Sequence, residues 1–314
     1  MENIKKNPLS LQLNADDFLP ASNEEKQSLV IMRESVNFWK DGLRRLKKNK
    51  IAMVSFVFII AIAIFAYLLP AVWPYSYAEQ VKGSNNLAPF EYSASEQARI
   101  DAGEKVFPHI LGTDRMGRDF AVRIMMGTRV SLSVGLIASV LVLIIGATYG
   151  AVSAFAGGWV DNIMMRIIDV LDSIPMTLYV ILIMVVVGPG ISSIIIALGL
   201  TFWVKMARIV RGQVLTLKQQ EFVKAAIVTG ADTKRIIVKH LIPNMMGPIM
   251  VNMAMQIPSA IFNEAFLSFV GLGISAPMAS WGTLCNDALA GIYVYPYQMV
   301  YPAIAISVTI LTFN

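Results

Sequence analysis

Long uncharged runs of apolar residues alternate along the chain with shorter polar and basic stretches. The first run, residues 51–69, carries no charge and is long enough to cross a hydrocarbon core of about 30 Å at about 1.5 Å per helical residue. Residues 130–160 form a second uncharged run. Runs of this length are typical of membrane-spanning helices. The pattern predicts an all-α integral membrane protein.

A third uncharged run, residues 173–204, would measure roughly 48 Å as one helix, which exceeds a single crossing. Gly188-Pro189-Gly190 interrupts it, and this tripeptide predicts a break between two spans. Two further apolar runs follow, so we predict six transmembrane helices in all. The four later spans are predicted at 164–187, 191–210, 244–270 and 288–314.

The basic residues gather beside these spans. Residues 1–50 end with Lys40, Arg44, Arg45, Lys47, Lys48 and Lys50, which predicts a cytoplasmic N-terminal tail under the positive-inside rule. A basic amphipathic helix lying on anionic lipid is compatible with that prediction. The tail (1–50) is followed by the first transmembrane helix (51–70), an extracellular loop (71–128) and a core of five transmembrane helices (129–314), which includes a cytoplasmic loop (215–243).

Span counting and charge agree on the side of that cytoplasmic loop. With the N-terminus inside, four spans return the chain to the cytoplasm, and the stretch from Lys205 to Lys239 holds eight Lys or Arg against two acids. One misfit is a group of arginines that this scheme puts outside, before the second span: Arg115, Arg118, Arg123 and Arg129. The loop is long enough to weaken the rule there, and its acids can pair with these arginines.

Composition narrows the class of protein. Hydrophobic residues make up 56% of the 314 residues and charged residues 15%, which excludes an ordinary water-soluble domain. A single cysteine argues against a disulfide framework or a thiolate metal site, and the two histidines lie far apart in sequence. Because the net charge of +5 is concentrated beside spans, it does not indicate nucleic-acid binding. The sequence holds no G-x-x-x-x-G-K-[ST] motif for binding ATP phosphates.

The stretch "EFVKAAIVTGADTKRIIVKHLIPN", residues 221–244, interrupts the apolar runs. Residues 221–229 are compatible with a helix, Gly230 permits the backbone conformation that ends one, and Asp232 or Thr233 can cap a second helix that runs toward Pro243. The stretch therefore predicts two short helices joined by a glycine turn. The plainer alternative is a basic loop that only fixes orientation.

The spacing of Ala225, Ala226 and Gly230, followed by Ile242 and Pro243, resembles the EAA loop of permease subunits in bacterial ATP-binding-cassette (ABC) importers. Two positions depart from that pattern, since Lys224 stands where the family has glutamate and His240 where it has isoleucine. Glu221, one turn earlier, can replace that carboxylate. The resemblance implies a coupling helix that docks on a separate ATPase subunit. The implied coupling residues are Glu221, Lys224, Ala225, Ala226, Gly230, Ala231, Asp232, His240 and Pro243.

Three other stretches are similar to oligopeptide and dipeptide permeases, especially the component C family: residues 111–135, 240–244 and 263–282. The resemblance implies a type I ABC importer permease fold in a bacterial plasma membrane, with a cytoplasmic N-terminus and no enzymatic activity or cofactor in this chain. It also implies a set of partners: a homologous permease subunit in a heterodimer, one or two ATPase subunits that bind ATP and Mg²⁺, an extracytoplasmic binding protein and a peptide substrate.

A charged cluster precedes the second span and contains Asp114, Arg115, Arg118 and Asp119, with Arg123 close behind. It is interpreted either as an ion-pair network at an outer mouth that receives a binding protein, or as a structural lead-in to the helix, which we favour because charges at helix ends commonly satisfy each other. Arg166, Asp169 and Asp172, spaced by three residues, predict helix packing or pairing with the basic segment.

Polar and flexible residues in the predicted fifth span are candidates for a substrate path. Glu264 is an intramembrane carboxylate, so it either faces such a path or makes a structural hydrogen bond. Met250, Asn252, Met253 and Gln256 suit a cavity that accepts varied side chains, although methionine that packs against lipid or helices is commoner. Gly146 and Gly150 form a G-x-x-x-G pair that predicts a close helix contact.

We therefore predict a permease subunit of an ATP-driven oligopeptide importer. The nearest alternative keeps this architecture and imports dipeptides, glutathione or nickel complexes. An alternative of another class is an ion-coupled carrier or membrane scaffold that needs no ATPase. Such a carrier would show paired ionisable groups in mid-span, and only Glu264 comes close.

Overall fold

In the computed structural model, residues 38–314 are described, with side chains from Gly42 onward. This part of the chain is helical and contains no strand, only one isolated antiparallel bridge between Thr113 and Asp119. Contacts divide the chain after Met53 into two compact units. The helices are α1 (Phe38–Lys48), α2 (Lys50–Tyr67), α3 (Leu69–Val72), α4 (Ala94–Asp101), α5 (Phe120–Ala156), α6 (Gly158–Asp172), α7 (Met176–Val187), α8 (Ile191–Leu217), α9 (Glu221–Val228), α10 (Thr233–Asn244), α11 (Met246–Phe269), α12 (Trp281–Leu289) and α13 (Tyr297–Phe313).

Membrane-spanning elements dominate this helical architecture. Three stretches are long and apolar enough to cross a bilayer: Lys50–Val72, Phe120–Ala156 and Ile191–Leu217. Two bent pairs also qualify if each is one span, namely α6 with α7 at 84° and α10 with α11 at 69°. α13 is a shorter apolar helix. The all-α membrane class is confirmed, and the number of six spans stays a prediction.

The predicted third span, 164–187, is not one continuous helix. α6 ends at Asp172 and α7 begins at Met176, with an 84° bend between them. Pro175 lacks a backbone N–H and disfavours helical geometry in the preceding residue. The sequence pattern did not reveal this break, because Pro175 lies inside a long uncharged apolar run. The break predicted at Gly188-Pro189-Gly190 is confirmed, since Gly188 and Gly190 both have positive φ, at 93° and 150°.

The ends of other predicted spans also differ from the structure. The second long helix begins at Phe120, so residues 120–128 of the predicted outer loop are helical. The side chain of Asp119 accepts a hydrogen bond from the Val122 backbone N–H at 2.9 Å and so fixes that start. The predicted sixth span, 288–314, is divided between α12 and α13, and the turn between them contains Gly291 and Pro296.

α5 and α8 pack at close range. A Cβ added at Gly146 would lie 2.6 Å from the Met206 Cβ, and one at Gly150 would collide with the Ala207 carbonyl oxygen. Only glycine allows this backbone approach. The predicted G-x-x-x-G contact is therefore confirmed, and it joins the two longest helices of the described chain into one pair.

The segment between α3 and α5 folds back on itself and on α13. Tight approaches at Gly112 and Gly117 require glycine, because both have positive φ and their missing Cβ atoms would strike the carbonyl oxygens of Leu87 and Val81. Gln298 donates to the Thr113 carbonyl oxygen at 3.0 Å. In this fold Asp114, Arg118 and Asp119 are buried before α5, whereas Arg115 stays exposed.

Candidate functional site

The segment 221–244 has the predicted arrangement of two helices joined by a glycine turn. α9 ends in a Schellman motif, in which the Gly230 N–H donates to the Ile227 carbonyl and the Ala231 N–H donates to the Ala226 carbonyl, both at 3.0 Å. Gly230 adopts φ +80°, a conformation that glycine accepts without strain. The turn is therefore fixed by backbone hydrogen bonds.

One face of α9 is packed into the protein. Val223 and Ala226 are buried in an apolar cluster that also contains Met206 and Val214 of α8, Ile236 and Leu241 of α10, and Ile249 of α11. Val142, Ala151 and Ala154 of α5 complete it. The buried face of α9 therefore contacts, through one cluster, the helices that form the core of the molecule.

The opposite face of α9 is exposed. Glu221, Lys224, Ala225 and Val228 follow each other at helical spacing and are all exposed. The apolar Val228 is 87% exposed. Within residues 38–314, neither Glu221 nor Lys224 makes an ion pair. This surface, which we call the α9 face, combines two charges with an apolar C-terminal end and has no partner in the described chain.

α10 joins the turn to α11. The Asp232 side chain caps α10 by accepting from the Arg235 backbone N–H at 3.2 Å, as the sequence predicted. A π-helical turn follows over Ile236–Leu241, which accommodates the missing N–H of Pro243. His240 is half-buried, and its carbonyl accepts from the Asn244 side chain at 2.6 Å. The 69° bend to α11 then begins the next span.

The implied coupling residues therefore fall into two groups. Glu221, Lys224 and Ala225 lie on the exposed α9 face, whereas Ala226 is buried against the core. The remaining five build the turn and the second helix: Gly230, Ala231, Asp232, His240 and Pro243. Val228 is exposed at the C-terminal end of the face, and sequence reasoning missed it because apolar residues in a helix are ordinarily assigned to the core.

The charged cluster before α5 forms an ion-pair network in which Asp114, Arg118 and Arg123 are buried and Arg115 is exposed. The carboxylate of Asp114 accepts from Arg118 Nε at 2.6 Å and from Arg123 Nη1. Asp287 of α12 lies 3.4 Å from Arg123 Nη2 and 3.5 Å from Arg115 Nη2. The pairing of these arginines with acids is confirmed, and Asp287 is a partner that no sequence spacing indicated. The network joins the residues before α5 to α12.

Asp119 belongs to a different cluster. It accepts from His109 Nδ1 at 2.8 Å and from Trp73 Nε1 at 3.2 Å, while His109 Nε2 lies 3.0 Å from Glu96. Tyr75 stacks on the His109 ring with centroids 4.4 Å apart. Burial alone would lower the pKa of His109, but its hydrogen bonds to the two carboxylates more than offset this and hold that pKa above its ordinary value. Burial also raises the pKa of Tyr75, to about 12.

Glu264 is fully enclosed between α11 and α5. Its carboxylate accepts from Ser131 Oγ at 2.6 Å and from Ser268 Oγ at 2.8 Å. Such an enclosed and satisfied carboxylate is the arrangement expected of a structural hydrogen bond. Met250, Asn252, Met253 and Gln256 lie half-buried along the preceding turns of α11, and Asn252 donates to the Pro248 carbonyl at 2.8 Å.

The acids of α6 pair with α8. Arg208 donates to Asp172 at 2.7 Å and to Asp169 at 3.0 Å, and Arg211 binds both oxygens of Asp161 at 2.7 Å. The predicted pairing of Asp169 and Asp172 with the basic segment is confirmed. Among the described residues, no group of three or more His, Cys, Asp or Glu side chains is arranged to hold a metal ion.

Comparison with known families gives two matches. The family described as binding-protein-dependent transport system inner membrane component matches residues 143–314. The N-terminal transmembrane domain of oligopeptide transport permease C matches residues 37–89. The first match contains the whole segment 221–244, and the second contains α2 and the residues before and after it.

Curated relatives align over almost the whole chain. The oligopeptide transport system permease protein OppC of Bacillus subtilis is 42% identical over 314 residues, covering 100% of this chain and 95% of the relative. The dipeptide permease DppC of the same organism is 45% identical, covering 93% and 87%, and OppC of Haemophilus influenzae is 39% identical, covering 90% and 86%.

A solved structure, described as inward-facing conformations of the MetNI methionine ABC transporter, matches with a TM-score of 0.48 and 19% identity, over 60% of this chain and 91% of that one. The family match over residues 143–314, which is more than half of the chain, and the relatives that align over almost its whole length together establish the family. The chain thus belongs to the family of inner-membrane permease components of binding-protein-dependent ABC transport systems.

Proposed function

We propose that this chain is the permease subunit of an ATP-driven importer of oligopeptides, with the α9 face as its contact with an ATPase subunit. A homologous permease subunit completes the translocation path, one or two cytoplasmic ATPase subunits bind ATP and Mg²⁺, and an extracytoplasmic binding protein delivers the peptide. The chain lies in the bacterial plasma membrane with its N-terminus and segment 221–244 on the cytoplasmic side. It has no enzymatic activity of its own.

The observation that carries this proposal is the two-sided character of α9. Its exposed face has two charged residues, Glu221 and Lys224, and ends in the apolar Val228, a composition suited to a protein partner. Its other face is packed into the cluster shared by α5, α8, α10 and α11. A force applied to the exposed face therefore reaches the membrane helices through packed side chains. Close-packed protein interiors are hardly compressible, so they transmit such a force.

We expect the transport cycle to use α9 and its packed cluster as a lever. Closure of an ATPase pair pushes α9, and the packed cluster moves the cytoplasmic ends of α8 and α11. The substrate cavity between the two permease subunits then opens alternately to each side of the membrane. We place the substrate path along the half-buried side of α11, where Met250, Asn252, Met253 and Gln256 lie. We assign Glu264 a structural role: it stabilises the C-terminal part of α11 through its contacts with Ser131 and Ser268 and does not bind the substrate.

A dipeptide is the second candidate substrate. The dipeptide permease of Bacillus subtilis is as similar to this chain as the oligopeptide permease, at 45% against 42% identity. Both candidates keep the same lever and partners. Uptake of labelled dipeptides against longer peptides by the assembled importer separates them.

Substitution of Val228 tests the ATPase contact. A glutamate in Val228→Glu places a charge on the apolar end of the α9 face, where burial against a partner would desolvate it. We expect the ATPase subunits to co-purify at least about tenfold less with this variant, and peptide uptake to fall in parallel. Amounts of chain in the membrane should stay unchanged, because Val228 makes no part of the buried cluster.

Val294→Glu is the matched control. Val294 is 70% exposed in the turn between α12 and α13, so this variant adds the same charge away from α9. Normal ATPase association for Val294→Glu and loss for Val228→Glu supports the proposal. If Val228→Glu retains both its ATPase subunits and its uptake, the α9 face is not the contact. If the wild-type chain transports peptide without any ATPase, an ion-coupled carrier replaces the proposed function.

A further inference from the structure

α1 presents a basic surface that the transport proposal does not use. Arg44, Lys47 and Lys48 follow each other at spacings of three and four residues, so they share one side of the helix, and all three are exposed. Leu43 and Leu46 lie together on another side, and Leu43 is 57% exposed. A helix with this division of cationic and apolar sides is typical of helices that lie in a membrane interface.

The charge of this stretch is strongly one-sided. Residues 40–50 contain six basic residues and one acid, a difference of five positive charges. The cationic surface continues past the end of α1, where Arg45, Lys48, Asn49, Lys50 and Ile51 line an open groove of about 530 Å³. An anionic ligand is the electrostatic complement of such a surface.

The chain position selects a lipid as that ligand. Asn49 separates α1 from α2, and its side chain accepts from the backbone N–H groups of Ile51 and Ala52 at 3.1 and 3.3 Å, which starts the first membrane-spanning stretch there. The basic groove therefore lies where the chain enters the bilayer, at the depth of the headgroups. Basic clusters beside a span attract anionic headgroups electrostatically.

We propose that α1 and the first residues of α2 form a binding site for anionic phospholipid headgroups. Lys47, Lys48 and Lys50 contact the lipid phosphates, and Leu43 and Leu46 insert among the upper methylenes of the acyl chains. Zwitterionic lipid lacks the net charge that this surface complements, so the site selects phosphatidylglycerol over phosphatidylcholine.

The test titrates each of these two lipids into the purified full-length chain and counts bound lipid by native mass spectrometry. The Lys47→Gln, Lys48→Gln double variant should bind phosphatidylglycerol roughly tenfold more weakly or worse, as expected for two lost cations. The matched control is Lys82→Gln, Lys105→Gln, which removes two exposed lysines between α3 and α5 and should bind as the wild type does. If both double variants lose phosphatidylglycerol binding equally, or if neither loses it, the proposed lipid site is wrong.

A measurement on the unmodified chain keeps the test independent of variant folding. Wild-type chain should retain phosphatidylglycerol in preference to phosphatidylcholine, and this preference should shrink as ionic strength rises, because salt screens exposed charges. Equal retention of the two lipids at low salt also overturns the proposal. Neither readout involves transport, so these outcomes do not bear on the proposed function.

Discussion

At the scale of single residues, buried charges decide how the segment before α5 is held. Glu96, His109 and Asp119 form one cluster, in which both nitrogens of a fully buried histidine face carboxylates. Both ring nitrogens donate only when the imidazole is protonated. The structure therefore favours a cationic His109, and the fold of this segment depends on that charge.

Replacement of His109 by glutamine should expose this dependence as a pH effect. The pKa of His109 is raised in the folded chain, so its stabilising contribution is fully present below the unfolded value of about 6.5 and is lost as pH rises through the folded pKa. At pH values below about 6.5 we expect His109→Gln to reduce the free energy of unfolding by about 3 kcal/mol. The difference from wild type should narrow as pH increases, measured by limited proteolysis of residues 71–119.

The chain's other histidine supplies the control. His240→Gln should leave proteolysis of residues 71–119 unchanged at every pH, since His240 lies in α10. A constant gap between His109→Gln and wild type across the whole pH range would contradict a role for the protonated ring.

Sequence could not have assembled this cluster. Glu96, His109 and Asp119 are separated by 13 and 10 residues along an irregular segment, and no helical or strand period relates them. Asp287 joins the neighbouring arginine network from much farther along the chain. Only the folding of this segment against α5 and α12 brings these groups within hydrogen-bonding distance.

At the scale of elements, local signals predicted turns well and long helices less well. Gly230 and Asp232 act within a few residues of themselves, and both behave as their residue types require. The breaks in the predicted third and sixth spans lie at Pro175 and before Pro296, within long apolar stretches. A hydrophobic run predicts that residues are buried in lipid or protein, but it carries little information about where a helix bends.

Gly230→Val should separate ATP hydrolysis from uptake. A β-branched residue at φ +80° costs about 1–2 kcal/mol or more, and the strain is relieved by opening the Schellman turn that holds α9 to α10. We expect the assembled importer to hydrolyse ATP at a near-normal rate while peptide uptake falls several-fold. Both rates are measured on the same proteoliposomes.

Gly212→Val is the matched substitution within α8. Gly212 is exposed, has no atom within 4 Å of an added Cβ and lacks a positive φ. It should therefore leave the ratio of uptake to hydrolysis at the wild-type value. Unchanged uptake in Gly230→Val would remove the turn from the coupling path.

At the scale of the whole molecule, the proposed path along α11 predicts accessibility that changes with the transport state. In a Cys285→Ala background, Asn252→Cys should react with a water-soluble maleimide at rates that differ by about tenfold between the resting and the ATP-trapped importer, as expected for a large shift between two states. Val294→Cys, on the 70% exposed Val294 in the turn between α12 and α13, should react equally in both. Equal rates for Asn252→Cys in an importer active in uptake would move the path away from α11.

The glycine contact between α5 and α8 limits how such a change of state can occur. With Gly146 against Met206 and Gly150 against Ala207, the two backbones touch, and neither helix can slide along the other as a piston. We therefore expect the two helices to tilt together as one rigid body. The bends at Pro175 between α6 and α7 and at Met245 between α10 and α11 offer two joints at which other helices can pivot against this pair, so the proposed alternating access would proceed by pivoting and not by sliding.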